Sequence, residues 1–154
     1  MRFLSRRTLL GSSVLAGGVG VAMAVRAQSG GMWVVTSQEA ALPPSPTSKA
    51  GRAISRGPAI RQVSPSGAVP SNRPFELRVE FVGRGGEKIA PATAQVMLLR
   101  GSNVDITQRL KGYITPTGIV VPDAMVAPGM HVLQVAVSDT NGKQSTANIE
   151  IEAK

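Results

Sequence analysis

The strongest constraint on the fold of this chain is a period of two. In "FELRVEF" (75–81), Phe75, Leu77, Val79 and Phe81 alternate with Glu76, Arg78 and Glu80. Successive side chains of an extended strand point to opposite faces, so the segment makes a half-buried strand with a charged outer face. The pattern returns in "MHVLQVAVSD" (130–139), with Leu133, Val135 and Val137 inward and Val132, Gln134 and Ala136 outward. It returns again in "ANIEIE" (147–152), with Ala147, Ile149 and Ile151 inward. "AQVMLLR" (94–100) reads as a further strand, and "GIVV" (118–121) as a short one stopped by Pro122, since proline has no N–H for a ladder. "GRGGE" (83–87) and "DTNGK" (139–143) read as turns. In the second, Asn141-Gly142 is the pair that a tight hairpin prefers when both residues take positive φ. No segment after residue 57 keeps a helical period. About seven short strands with frequent turns predict an all-β fold, an antiparallel sandwich or barrel. There is no internal repeat, and one domain over 58–154 is the economical count.

Residues 1–27 have a different texture. Arg2, Arg6 and Arg7 precede a glycine-interrupted apolar run, Thr8–Val25. A permanent span needs about 20 strongly apolar residues, and each glycine costs a helix roughly 1 kcal/mol. The run therefore reads as the apolar core of an export signal. Ser5-Arg6-Arg7-Thr8-Leu9-Leu10 resembles the twin-arginine consensus for folded cargo, and Val25-Arg26-Ala27 fits cleavage after Ala27, with Ala22-Met23-Ala24 as a second candidate. A Sec signal with two adjacent arginines, or an uncleaved anchor, are the other readings. Each places the mature protein outside the cytoplasm, periplasmic or secreted, with only transient membrane contact for a cleaved signal.

Residues 28–57 are rich in proline, serine, alanine and glycine and keep no apolar period. The expectation is a flexible, partly polyproline linker. "GMWVV" (31–35) is the exception: a short strand, a docking peptide, a piece packed on the domain edge or an incidental apolar patch around Trp33. The linker expectation predicts that removing residues 28–57 leaves the melting temperature unchanged.

The formal net charge of +8 sits mainly outside the candidate domain, since residues 71–154 hold nine basic and eight acidic residues. A nucleic-acid binder needs a basic patch on the folded surface, often with stacking aromatics. Here the domain is nearly neutral and its aromatics are Phe75, Phe81 and Tyr113, so nucleic acid is not an expected partner. The chain has no cysteine, which excludes disulfides, thiolate metal sites and iron–sulfur clusters. It also suits folding in a reducing cytoplasm before export.

"AIRQVSPSGAVPSNRPFELRVEF" resembles the opening of bacterial immunoglobulin-like (Ig-like) domains. There an apolar strand runs through a Ser-Pro and Gly-Ala segment to a proline-led second strand. "NVDITQRL" resembles their mid-domain segment, and "APGMHVLQVAVSDTNGKQSTANIEIE" their closing hairpin. The resemblance spans residues 58–152 and implies an Ig-like antiparallel sandwich. The antibody-type buried tryptophan and cysteine pair are absent, and a fold class alone licenses no activity.

Chemistry-bearing constellations are sparse. His131 is the single histidine, and no nucleophile is placed beside it as a triad requires. It reads as a strand-edge histidine bonded to backbone or water. Glu76 and Glu80 share a face with Arg78 between them, a solvated charged surface rather than a glycosidase pair. "GRGGEK" lacks the following Ser/Thr and helix of a phosphate loop. Asp139-x-Asn141-Gly142 resembles the start of a calcium loop but lacks its closing glutamate. The remaining idea is copper. Exported copper-handling proteins of the CopC type share a Ser-Pro/Gly-Ala opening and a Pro-Gly-led alternating strand with this chain. Met125, Met130 and His131 in "MVAPGMH" offer thioether and imidazole ligands suited to Cu(I). That family binds Cu(II) through several histidines, including one at the mature N-terminus, whereas this chain would begin at Gln28. The expectation is a non-catalytic exported module without cofactor that binds another exported protein. A metal or small-ligand carrier is the second reading.

Overall fold

The computed structural model describes residues 30–46 and 56–154. Nine strands are present among them: β1 (Met32–Val35), β2 (Ala59–Ser64), β3 (Phe75–Val82), β4 (Ile89–Leu98), β5 (Val104–Asp105), β6 (Ile114–Thr115), β7 (Gly118–Val126), β8 (Gly129–Asp139) and β9 (Gln144–Ala153). Two single-turn helices, α1 (Ser37–Ala40) and α2 (Thr107–Leu110), complete the elements, with a 3-10 turn over Lys111–Tyr113. One sheet runs β1-β7-β3-β2, with β6 also paired to β7; the other runs β5-β4-β8-β9. All pairings are antiparallel except β1 with β7.

The two sheets meet across one apolar core. Leu77, Val79 and Phe81 of β3 and Ile119 and Val121 of β7 are buried with Val96 and Leu98 of β4. Leu133, Val135 and Val137 of β8 and Ile149 and Ile151 of β9 close it from the second sheet. The predicted inner faces of β3, β8 and β9 are therefore the observed ones, because a long period-two run leaves only one register that buries its apolar set. The general architecture is a two-layer β-sandwich.

The linker expectation for 28–57 fails over residues 30–46. Met32 pairs with Ala124, Trp33 with Met125 and Val35 with Val126. A register shift between Trp33 and Val35 lets the consecutive residues Val34 and Val35 both lie fully buried, while Trp33 stays outside. Burying a valine is worth roughly 1.5–3 kcal/mol, which offsets the entropy of ordering the strand. Helix α1 then starts on a reciprocal cap. Glu39 N–H donates to Thr36 Oγ1 at 3.3 Å, and Thr36 N–H donates to Glu39 Oε2 at 2.9 Å. Glu39 also takes both guanidinium nitrogens of Arg109, at 2.8 and 3.1 Å. Arg109 Nη1 in turn donates to the Val34 carbonyl at 2.8 Å. Pro44 bridges to Arg100, and Ser45 N–H donates to the Leu99 carbonyl at 3.3 Å. Residues 30–46 are thus a strap across the sandwich.

Three further expectations are corrected. The strand count exceeds seven because β1, β5 and β6 are too short to show a period. Pro122 does not end β7, which continues to Val126. The β3–β7 register shifts between Phe75 and Leu77, opposite Ala124 and Val121, so Pro122 lies at an irregularity, where no ladder donor is required. In the β8–β9 hairpin only Gly142 of the Asn141-Gly142 pair has positive φ, at 79°. Asp139 Oδ1 accepts from the N–H groups of Asn141 and Lys143, both at 2.9 Å. The loop is thus an aspartate-braced turn closed by a left-handed glycine.

Candidate functional site

An open concavity lies where the two sheets meet at β2 and β9. The loop Pro65–Ala68 leaves β2 and crosses to Val69, which bonds along the end of β9: Val69 N–H donates to the Glu152 carbonyl at 2.8 Å, and Lys154 N–H donates to the Val69 carbonyl at 3.0 Å. Between this loop and the sheet is an open groove of about 370 Å³, lined by the loop, Gln62, Met130, Glu150 and Glu152. Gln62 Nε2 donates to the carbonyls of Pro65 at 2.7 Å and Glu150 at 3.1 Å, which ties the loop to β9. Met130 pairs with Glu152 across the β8–β9 ladder and is 51% exposed. Lys154 Nζ lies 3.0 Å from Glu152 Oε1 at the rim.

Behind Met130 sits His131, fully buried. Its Nε2 lies 2.7 Å from the Ala127 carbonyl; a carbonyl only accepts, so this nitrogen carries the hydrogen. Its Nδ1 is buried without a hydrogen-bond partner. Burial holds the imidazole below its ordinary value, the hydrogen bond to Ala127 opposes this, and the nearby Arg100 guanidinium adds to the depression. Arg100 itself donates to the carbonyls of Met130 and, at 3.0 Å, Leu42, so the same residue holds the strap and the start of β8. The predicted strand-edge histidine is therefore a core histidine. Alternation carried back from Val135 and Leu133 puts His131 on the inner face, and that signal was in the sequence.

The three residues considered for copper do not share a surface. Met130 points out from β8 and His131 inward, as neighbours in a strand must. Met125 lies between the buried Ala124 and Val126, so it faces out from the other sheet. There its side chain lies over Gly31, where a Cβ would come within 2.6 Å of its Sδ. Among the described residues, no three His, Cys, Asp or Glu side chains are grouped so that they could hold a metal ion. The carboxylate of Asp139 serves its own turn, as above. Glu76, Arg78 and Glu80 are exposed on the outer face of β3. The signal residues Arg6, Arg7 and Ala27 lie outside the described residues.

Sequence reasoning missed Gln62, the Pro65–Ala68 loop, Glu150 and Glu152 as a group. Glu150 and Glu152 alternate with the inward Ile149 and Ile151, and nothing local links them to Gln62.

No protein-family model matches the chain, and no curated protein matches its sequence. Among solved structures it is similar to the crystal structure of CopC from Methylosinus trichosporium OB3b, with 16% identity and a TM-score of 0.42. The match covers 63% of this chain and 93% of that one. A likeness at this level carries no functional weight.

Proposed function

We propose that the chain is an exported, non-catalytic Ig-like module that binds another exported protein. The observation that carries this reading is a row across the outer face of the first sheet. Val63 stands at the β2–β3 register shift next to Ser64, which pairs with Arg78, and Arg78 pairs with Val120. Val63 is 47% exposed and Val120 39%, with Val82 at 38% on the same face of β3. Arg61, directly opposite Glu80, flanks them. Val63 and Val120 stand on either side of Arg78, and exposed valines among charged side chains offer a partner both apolar and polar contact. The order β2-β3-β7 against β5-β4-β8-β9 supports the Ig-like assignment, because the chain changes sheets between β3 and β4, between β5 and β6 and between β7 and β8. Export rests on the basic and apolar residues 1–27. Affinity purification of the tagged chain from periplasmic extract, followed by protein and metal analysis, tests the reading. A stoichiometric protein partner is expected. Stoichiometric copper or a small molecule with no protein would contradict it.

A further inference from the structure

We propose that His131 is an acid-sensitive latch for the strap: a proton taken up at its Nδ1 releases residues 30–46 from the sandwich while the two sheets stay packed. Both halves of the strap are bonded to the residues that hold the imidazole. In the first half, the Val35 carbonyl accepts from Ala127 N–H at 3.1 Å, and the Ala127 carbonyl accepts from His131 Nε2 at 2.7 Å. In the second half, three bonds run to Leu99–Gly101. The Leu42 carbonyl accepts from Arg100 Nη1 at 3.0 Å. The Pro43 carbonyl accepts from Gly101 N–H at 2.8 Å, and Ser45 N–H donates to the Leu99 carbonyl at 3.3 Å. That segment is itself fixed to β8 on either side of His131. Arg100 Nη2 donates to the Met130 carbonyl, and Leu99 N–H donates to the Val132 carbonyl at 2.9 Å.

This arrangement does not accommodate a second proton on the ring. Nδ1 is buried without an acceptor, so a charge there loses water and gains no hydrogen bond. Arg100 is the charged group that faces the ring, and it repels a cation. The carboxylates of the packed elements are turned or held elsewhere. Glu39 of the strap is taken by Arg109 of α2. Glu150 and Glu152 alternate with the inward residues of β9, and Lys154 stands beside Glu152. Asp123 of β7 is exposed. Moving β8 to relieve the charge would break a strand paired with β9 from Gly129 to Ser138 and with β4 on its other side. The strap has three pairs, all to β7, so it is the part that yields. In the open form water reaches the imidazole, which returns toward its ordinary 6.5 from the lower value of the closed form. The open form therefore binds the proton more readily, and its population rises up to about tenfold for each pH unit below about 6.5. Release leaves one edge of Ala124–Val126 in β7 unpaired.

Hydrogen exchange of the full exported chain, followed by NMR between about pH 7 and 5 and corrected for the intrinsic rate at each pH, tests the latch. Protection of the Ser45, Gly101 and Ala127 amides, which bond strap to sandwich, should fall up to about tenfold per pH unit. Protection of Val79 and Val135 in the core should hold constant. Trp33, the single tryptophan, lies in the strap, and its quenching by acrylamide should rise over the same range without a change in far-UV ellipticity. His131→Leu should abolish the fall in strap protection. Glu39→Gln weakens the strap at a carboxyl held at about 2, so it should lower strap protection by the same factor at every pH and leave the slope intact. Constant strap protection in the native chain, an equal fall at Val79 and Val135, or a slope that survives in His131→Leu would each overturn the proposal. The first two comparisons need no variant, so they decide even where His131→Leu does not fold.

Discussion

His131 shows how a single residue sets a pH dependence. Its folded-state value lies below the ordinary 6.5, chiefly through burial. The unfolded chain therefore binds the proton more readily, and the neutral form's contribution is complete above about 6.5 and lost as pH falls toward the folded value. Melting temperature against pH should thus fall more steeply below about 6.5 in the native chain than in His131→Leu. Parallel curves would show that the imidazole has no part in acid sensitivity. Glu39 acts in a lower window. The Arg109 guanidinium and the Thr36 cap hold its carboxyl at about 2, down from 4.5. Its contribution is present above about 4.5 and is lost as pH falls through 2. E39Q keeps the size of the side chain and removes the charge, so it should cost about 1–3 kcal/mol at neutral pH, or several degrees of melting temperature. An unchanged melting temperature would mean that the ion pair is a surface ornament of little worth. The burial of His131 was legible in the alternation of β8, whereas the role of Glu39 was not. Glu39 and Arg109 are 70 positions apart, and no local pattern joins them.

Elements differ in legibility for a physical reason. β3, β8 and β9 each alternate over enough residues that only one face can be buried, and their inner sets were read correctly. β1 has four residues with two adjacent buried valines, a pattern that an extended strand produces only at an irregularity. The sequence therefore leaves it open between a short strand, a docking peptide, a piece packed on the domain edge and an incidental apolar patch. β7 passes its proline because that proline sits where the ladder is already broken, which is knowledge of the partner strand rather than of β7. The strap also carries the clearest prediction at this scale. Removing residues 30–46 exposes the core beneath Val34 and Val35 and strips Arg109 of both its partners. The two valines alone are worth about 3–6 kcal/mol, so the truncated domain should melt at least ten degrees lower, or fail to fold. Calorimetry of the two forms decides between this and the linker expectation, under which the transition would not move. Gly118 makes a second point about β7. Its φ is 149°, and a Cβ there would overlap the Val79 carbonyl, so the start of the strand admits β3 only because no side chain is present.

At the scale of the whole molecule, the sandwich was legible and the site was not. Alternation, turn residues and the missing helical period suffice to predict two packed sheets. The groove instead joins residues 62–68 with Met130 and with Glu150 and Glu152, three segments that meet only because β2 and β9 end their sheets on the same side. The exposed row has the same origin: Val63, Arg78 and Val120 come from three strands, and only the register aligns them. Chemistry that the sequence did suggest, the grouping of Met125, Met130 and His131, is divided by the same alternation that builds the fold. The absence of cysteine and the basic, apolar N-terminal residues remain the sequence's contribution to address rather than to site. The proposed partner binding makes the outer face of the first sheet the surface to interrogate. The most direct measurement is photo-crosslinking in the cell, with a benzophenone amino acid at Val120 and, for comparison, at Thr146 on the outer face of the second sheet. A discrete protein adduct from position 120 and none from 146 is the expected result. No adduct at 120, or equal labelling from both faces, would contradict the assignment of this molecule as a protein-binding module.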